Sequence, residues 1–227
     1  SEESVSYRDI SNRISKLWRM RDSNSDASEL LERLLEKRAN LIRNAEEKYY
    51  ELERILDNLS EKGPVDNLIV FVSPQQITEV MNILARKDII FHKLTEKEGV
   101  KPEKRFGGIS EREHIISKFK SKEYQAIVAI KCMDEGIDIP TADIGILMAS
   151  STNPREYIQR VGRIIRQAPG KRFAHLYDIC VDTSSNLEDE AAEIEKKIKA
   201  KEQVRLKEIA SNAINSIDAL KVINTLD

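Results

Sequence analysis

Cysteine, aromatic residues and long apolar runs are all scarce in this sequence of 227 residues. Its two cysteines, Cys132 and Cys180, lie far apart in separate apolar runs, which argues against a framework of disulfides. Two thiols and three scattered histidines also supply too few ligands for a zinc site. We therefore expect no metal, and two reduced thiols packed in or behind strands. Aromatic residues make up only 5%, which leaves no row of stacking platforms for single-stranded bases.

Targeting signals and excess charge are absent as well. No apolar run reaches the length of about 18 residues that a membrane helix needs, and no charged-then-apolar leader opens the sequence. We expect a cytoplasmic protein with no membrane partner. The net charge of -2 excludes a uniformly basic protein, so contact with nucleic acid has to come from a local patch. The chain begins without methionine and offers no folding signal there, and we expect it to be cut from something longer.

The first 63 residues predict a helical spacer segment. Apolar or small residues recur every three or four positions from Leu31 to Leu59, with Arg38 as the one charged member of the stripe. This pattern predicts one continuous helix that ends at Gly63-Pro64, after a shorter amphipathic stretch from Tyr7 to Met20. Its apolar face is expected to pack against the rest of the chain or a missing domain. A helical scaffold that recruits a partner is the alternative.

Residues 64–183 predict an α/β domain. Short apolar runs alternate there with amphipathic stretches, as in parallel strands that are covered on both faces. Right-handed crossovers then give an open, doubly wound sheet, whose ligands collect at the carboxyl ends of the strands. The Glu- and Lys-rich residues 184–227 predict a helical C-terminal extension. The runs that predict strands are 68–72, 89–91, 125–130, 143–149 and 173–181.

Three arginines, Arg160, Arg163 and Arg166, lie three residues apart in a segment that is predicted to be helical. This spacing puts them along one helix face, and guanidinium groups offer planar, permanently charged donors that suit phosphate. Gly162 lacks a side chain and so permits close approach of another backbone. Salt bridges on a surface helix are the alternative, but residues 155–172 contain six basic residues and one acid.

A second unusual segment, Glu135-Gly136-Ile137-Asp138-Ile139-Pro140, follows the predicted strand at 125–130. Gly136 permits a tight turn, and Pro140 halts regular strand pairing. Asp138 puts a carboxylate at the end of the strand, where it can meet a ribose hydroxyl or an arginine. Turns of this composition are common, so the segment is informative only in combination with the arginines.

In combination, these segments resemble the C-terminal RecA-like domain of superfamily 2 helicases and translocases. Residues 68–73 resemble motif IV of that family, 125–140 resemble motif V and 159–166 resemble motif VI. Gly107-Gly108 and the residues that follow are similar to the segment before motif V. Residues 1–63 resemble, more loosely, the spacer between the two motor lobes of restriction-type and repair-type relatives. The glutamine that heads motif VI and the acidic form of motif V favour the DNA-acting branch.

The resemblance implies a role for individual residues. Arg166 would reach the γ-phosphate of ATP from across a cleft, with Arg163 beside it as a second finger. Relatives often have threonine at the position of Ile130, so that contact has to come from backbone N–H groups or from Lys131. The residues implied to face the nucleotide are Gln159, Gly136, Asp138 and Gly162, and those implied to touch the nucleic-acid backbone are Ser73, Gly108, Ile130 and Lys131.

The parts that hold a metal-bound triphosphate are missing, because the sequence contains no GxxxxGK[ST] loop and no DExH or DEAD tetrapeptide. The resemblance therefore implies that ATP and Mg²⁺ bind in the full-length protein, on an N-terminal RecA-like lobe in cis. This chain alone is expected to bind ATP weakly and to hydrolyse none.

Two functions remain open. The leading hypothesis is the second motor lobe of an ATP-dependent DNA helicase or double-stranded DNA translocase. The alternative is a non-catalytic nucleic-acid- or protein-binding module that retains the RecA-like fold. Basic residues flank the Gly-Gly loop and are either a phosphate track or solvated charges; they are Lys101, Lys104, Arg105, Lys120 and Lys122.

Overall fold

The computed structural model of the chain divides into two compact units. Residues 46–180 form one, the sheet unit, and residues 1–45 with 181–227 form the other, the helical unit. Within the described parts of both units, no helix is long and apolar enough to cross a membrane. The structure describes residues 2–18, 20, 25–130, 142–149, 162, 164, 171–183 and 189–225.

The elements follow the order that the sequence predicts, with helices at both ends and an alternating region between them. They are α1 (Glu2–Trp18), α2 (Ser25–Arg43), α3 (Glu47–Ser60), β1 (Leu68–Phe71), α4 (Ile77–Arg86), β2 (Phe91–Leu94), a 3₁₀ turn (Lys104–Phe106), α5 (Glu111–Lys120), β3 (Ala126–Ala129), β4 (Ile144–Leu147), β5 (His175–Asp178), α6 (Asp189–Ser211) and α7 (Ser216–Asn224).

The helical unit is built on the contact between α1 and α2. Ile10 and Ile14 of α1 pack with Leu31 and Leu34 of α2 in a small core of their own. Arg38, the charged member of the apolar stripe, is only 2% exposed, and its guanidinium lies 5.7 Å from the ring centroid of Tyr7. A cation over an aromatic face is stabilised by the ring quadrupole, which helps to explain how a charge is tolerated on this stripe.

The prediction of one continuous helix from Leu31 to Leu59 is wrong. α2 ends at Arg43 and α3 begins at Glu47, although Ala45 between them is buried. Asn44 contributes to the break, because its side-chain amide donates to the carbonyl of Asn40 and competes there with the helical hydrogen bond of its own backbone N–H. The apolar face of α3 belongs to the core of the sheet unit, whereas the sequence assigned this stretch to the spacer.

The sheet is parallel throughout, with the strand order β2-β3-β1-β4-β5. Every residue of the central strands β1 and β3 is buried, as expected for strands that are covered on both faces. The predicted fold, an open parallel α/β sheet with helical segments before and after it, is confirmed.

One strand and one side chain differ from expectation. The apolar run at 89–91 predicts a strand, but β2 starts only at Phe91, because Asp88 turns the chain at a φ of 54° and the N–H of Ile89 donates to Leu84. Cys180, expected to be packed, is exposed two residues after the end of β5. Cys132 lies outside the described residues.

Candidate functional site

Ser73 lies just past the carboxyl end of β1, where it organises the turn into α4. Its hydroxyl accepts a hydrogen bond from the N–H of Gln76 at 3.2 Å, and the Gln76 side-chain oxygen accepts one from the N–H of Ser73 at 3.0 Å. Ser73 is 4% exposed and Gln76 is fully buried. The predicted nucleic-acid contact at Ser73 therefore belongs to a rigid, reciprocally bonded turn, and the role itself stays a prediction.

Ile130 lies just past the carboxyl end of β3, beside the end of β2. Its N–H donates to the carbonyl of Leu94 at 3.1 Å and so continues the ladder between the two strands. The sequence offered this backbone N–H as a substitute for a threonine hydroxyl. Because the sheet already uses it, a contact with nucleic acid at this position would have to come from elsewhere. Lys131, the other substitute, lies outside the described residues.

Gly107 and Gly108 form the exposed tip of the loop between β2 and α5. Their φ angles of 71° and 87° lie in the left-handed region, which glycine adopts without steric cost. Apart from each glycine itself and its chain neighbours, no atom of the described residues lies within 4 Å of the position where a Cβ would stand on either glycine. The tip therefore has open space around its backbone, which is the geometry that a phosphate-contacting loop needs.

Arg112 holds the base of this loop, a role that sequence reasoning missed. It is 6% exposed, and its Nε and Nη2 atoms donate to the carbonyl oxygens of Glu98 and Thr95 at 2.9 and 3.2 Å. Ser110 and Glu113 form a reciprocal capping box that fixes the start of α5. The sequence does contain one signal for this role. Arg112 lies two residues after the N-cap Ser110, in the first turn of α5, and this position is next to the loop.

Glu98 closes the same base from the other side. Its carboxylate accepts hydrogen bonds from the N–H and the hydroxyl of Thr95, at 2.5 and 2.7 Å. Burial is the largest influence and raises the pKa of Glu98. The hydrogen bonds from Thr95, the N–H of Glu98 itself and the charge of Lys93 together outweigh burial, so the pKa lies below its ordinary value. The loop therefore contains a carboxylate that is held in its charged form.

The basic residues around the loop are not equivalent. Arg105 is bonded to Glu103 at 2.8 Å and lies over the ring of Phe106 at 4.5 Å, and Lys122 is paired with Asp66 at 3.2 Å. The remaining three have no ion pair with any residue that the structure describes, and all three are exposed. They are Lys101, Lys104 and Lys120.

The arginine segment is described at two positions, Gly162 and Ile164, both helical. Ile164 is fully buried, and its Cδ1 lies 2.1 Å from the position that a Cβ on Gly145 would occupy. Gly145 is the second residue of β4, so this contact is in the amino half of the strand. The buried residue of this segment therefore packs along β4, and the location of the predicted site residues beside it stays a prediction.

Gly162 is half-buried, and apart from its chain neighbours and its own helix backbone no described atom lies within 4 Å of its would-be Cβ. The other predicted residues of the nucleotide side, and the two fingers, lie outside the described residues, and their roles stay predictions. They are Arg163, Arg166, Gln159, Gly136 and Asp138.

Lys171 joins the arginine segment to the start of β4. Its ammonium group donates to the carbonyl oxygens of both Ala142 and Ile164. Burial lowers the pKa of Lys171, and the charge of Asp143 opposes that effect without cancelling it. The sequence carried no signal for this residue beyond its place in a basic stretch.

Comparison with known proteins gives one family over most of the sheet unit. A family model described as the helicase conserved C-terminal domain matches residues 47–168, which is more than half of the chain. A DNA 3'-5' translocase, XPB2 of Sulfurisphaera tokodaii, is 30% identical over 128 residues, which are 56% of this chain and 25% of that protein. The DEAD-box ATP-dependent RNA helicase 36 of Arabidopsis thaliana is 30% identical over 132 residues, 56% of this chain and 24% of the relative. The chain thus spans about a quarter of the length of these relatives.

Among solved structures, the C-terminal part of the Fun30 ATPase domain is 16% identical, with a TM-score of 0.46. The similarity covers 71% of this chain and 53% of that one.

Proposed function

The chain belongs to the helicase conserved C-terminal domain family of superfamily 2 helicases, and from this premise we propose that it is the second motor lobe of an ATP-dependent DNA helicase or double-stranded DNA translocase. The observation that carries the proposal is the extent of the family match. Residues 47–168 include all the segments that resemble motifs IV, V and VI, together with the Gly-Gly loop. In the intact protein, an N-terminal RecA-like lobe would hold ATP and Mg²⁺ and so complete the site.

The proposed contribution of this lobe to hydrolysis is a pair of arginine fingers, Arg163 and Arg166. Bound ATP supplies the phosphoryl group on which negative charge develops, and fixed guanidinium groups stabilise that charge. At helical spacing, Arg163 and Arg166 point about 100° and about 160° away from Ile164 around the axis. Because Ile164 is buried in the core, this spacing favours an outward direction for both fingers.

The side chains of the proposed fingers are chemically suited to a triphosphate. Guanidinium groups bind phosphate oxygens in a bidentate manner and stay charged at any working pH. Residues 155–172 contain one acid against six basic residues, so most of the guanidinium charge has no acidic partner nearby in sequence. Gln159 and Asp138 would orient the fingers or the ribose from the same side.

The proposed nucleic-acid surface is the loop that ends at Gly107 and Gly108. Exposed backbone at the tip and the exposed Lys101 and Lys104 beside it suit contacts to successive phosphates, which are independent of sequence and weakened by salt. Buried Arg112 and Glu98 keep the base of the loop rigid while the tip stays open.

DNA is the proposed track because of the acidic Glu135-Gly136-Ile137-Asp138 form of motif V and the glutamine at the head of motif VI. One relative is named as a DNA translocase and another as an RNA helicase, so their names alone do not decide between the two. The alternative, a non-catalytic binding module, would have no use for the paired arginines.

Hydrolysis of ATP by the intact protein tests the proposal. The rate is measured alone and with duplex DNA, single-stranded DNA and RNA of the same length and sequence. We expect stimulation by DNA and not by RNA, and no turnover by this chain alone under the same conditions. Stimulation by RNA only would contradict the choice of track. Binding of DNA without any hydrolysis by the intact protein would make the non-catalytic module the better account.

A further inference from the structure

Gly145 and Ile164 meet in a contact that leaves no room for any side chain at position 145. A Cβ on Gly145 would stand 2.1 Å from Cδ1 of Ile164, 3.0 Å from Cγ1 and 3.2 Å from Cγ2. Ile164 is fully buried, so rotating its side chain to make room would displace other atoms of the core. Packing against the bare backbone of β4 therefore sets how closely Ile164 approaches the sheet.

Lys171 fixes the same residue through its backbone. The ammonium group donates to the carbonyl oxygen of Ile164 and to that of Ala142, which precedes β4 by two residues. Asp143 lies between Ala142 and β4, and its carboxylate accepts a hydrogen bond from the Asn67 side chain at 2.8 Å. One lysine thus ties the segment to a strand end that is itself bonded to the start of β1.

This arrangement differs from that of an ordinary surface lysine. Such a side chain keeps its ammonium group in water and buries only its stem. The ammonium group of Lys171 instead turns inward to two backbone carbonyls, and burial lowers its pKa as a result. The two hydrogen bonds offset the cost of desolvating the ammonium group and hold the backbone of Ile164 next to the start of β4.

We propose that Gly145 and Lys171 are positioning residues for the arginine fingers, which they hold in register by fixing the side chain and the backbone of Ile164. The inference rests on the proposed function of Arg163 and Arg166. Arg163 is covalently joined to Ile164, and Arg166 is two residues further along the chain. A catalytic group that is held before the substrate arrives needs no rearrangement during the reaction, and an error of about 1 Å costs about a hundredfold in rate.

The first test is substitution and rescue at the packing contact, with ATP hydrolysis by the intact protein as the readout. Gly145→Ala is expected to lower kcat by about tenfold to a hundredfold, with little change in KM for ATP, because fingers act on the transition state. Ile164→Val removes the Cδ1 atom that the new methyl group would strike. The double variant Gly145→Ala/Ile164→Val is therefore expected to recover most of the kcat that Gly145→Ala loses, with Ile164→Val alone as its reference.

The second test removes the charged tie. Lys171→Met is expected to lower kcat about as much as Gly145→Ala does. Lys171→Arg, which can still donate to both carbonyls, is expected to keep kcat near the wild-type value. Ile83→Val is the stability control, since it removes one buried methyl group from α4. It should lower the unfolding midpoint and leave kcat unchanged.

Failure of this inference is distinguishable from failure of the proposed function. Arg166→Ala is the reference in the same assay. If Arg166→Ala loses activity while the kcat values of Gly145→Ala and Lys171→Met stay within about twofold of wild type, the positioning role is wrong and the proposed role of the fingers is unaffected. If Ile83→Val lowers kcat as much as Lys171→Met does, the effect is one of general stability, and the inference is overturned. If Arg166→Ala keeps full activity, both the fingers and their positioning are overturned.

Discussion

The side-chain ammonium group of Lys48 lies 2.8 Å from the main-chain carbonyl oxygen of Met148, and both residues are buried in the sheet unit. Lys48 stands in the first turn of α3, and Met148 directly follows β4. The contact therefore fastens the first helix of the sheet unit to the carboxyl end of a strand that lies 100 residues further along the chain. At the opposite end of β4, Lys171 makes the comparable contact with Ala142.

Lys48→Met keeps the length of the side chain and removes the donor. A buried carbonyl that loses its partner costs about 1–3 kcal/mol, so we expect the free energy of unfolding to fall by about that amount. Urea denaturation of the chain measures it. Lys62→Met, at an exposed lysine, is the matched control and should change the midpoint little. Equal midpoints for the two variants would show that the buried contact contributes nothing.

The loop base predicts a dependence of stability on pH. The pKa of Glu98 is lower in the folded chain than its ordinary value of 4.5. A carboxyl group of this kind contributes its full stability above the unfolded pKa and loses it as the pH falls through the folded pKa. Stability should therefore decline in the acid range below 4.5.

Glu98→Gln keeps the shape of the side chain and removes its titration. We expect the variant to be less stable than wild type at about pH 7 and to lose less on transfer to about pH 3.5. Urea midpoints at the two pH values measure the difference. Glu96→Gln, exposed and two residues away, serves as the control. A wild-type acid response in Glu98→Gln would contradict this role.

The nucleic-acid loop predicts which basic residue contributes to binding. Lys104 is exposed, whereas its neighbour Arg105 is occupied by Glu103 and Phe106. If Lys104 contacts one phosphate of duplex DNA, Lys104→Ala should reduce the slope of log K against log salt by about 0.9. Fluorescence anisotropy over a salt series gives that slope. Lys62→Ala should keep the wild-type slope, and an unchanged slope for Lys104→Ala would remove this residue from the surface.

The buried strands could be predicted from the sequence, because burial on both faces replaces alternation by continuous apolar runs. β1, β3 and β4 all lie within their predicted runs for this reason. The edge strand β2 was misplaced, since it carries His92 and Lys93, and the apolar Ile89 before it belongs to the core without being in the strand. The break between α2 and α3 was hidden because the apolar stripe runs through it at the buried Ala45.

The residue types of the site could be predicted from the sequence, but the hydrogen bonds and packing contacts that hold them in place could not. Glycines at a loop tip and arginines at helical spacing are local patterns that a sequence displays directly. The sequence gives only a weak indication that Lys48 is buried: it lies four residues before Leu52, on the same face of α3. Lys171 and Gly145 left none, because each acts on a residue in another element, and only the folded chain brings those elements together.

The most direct test of the central claim is the rate of ATP hydrolysis by the intact protein when Arg166 is replaced by alanine. We expect kcat to fall by about a thousandfold or more while ATP binding is retained, because the finger acts on charge that develops during the reaction. Arg172→Ala, at an exposed arginine in the same basic stretch, is the matched control and should keep the wild-type rate. Hydrolysis by Arg166→Ala at the wild-type rate would contradict the claim that this lobe supplies the arginine finger.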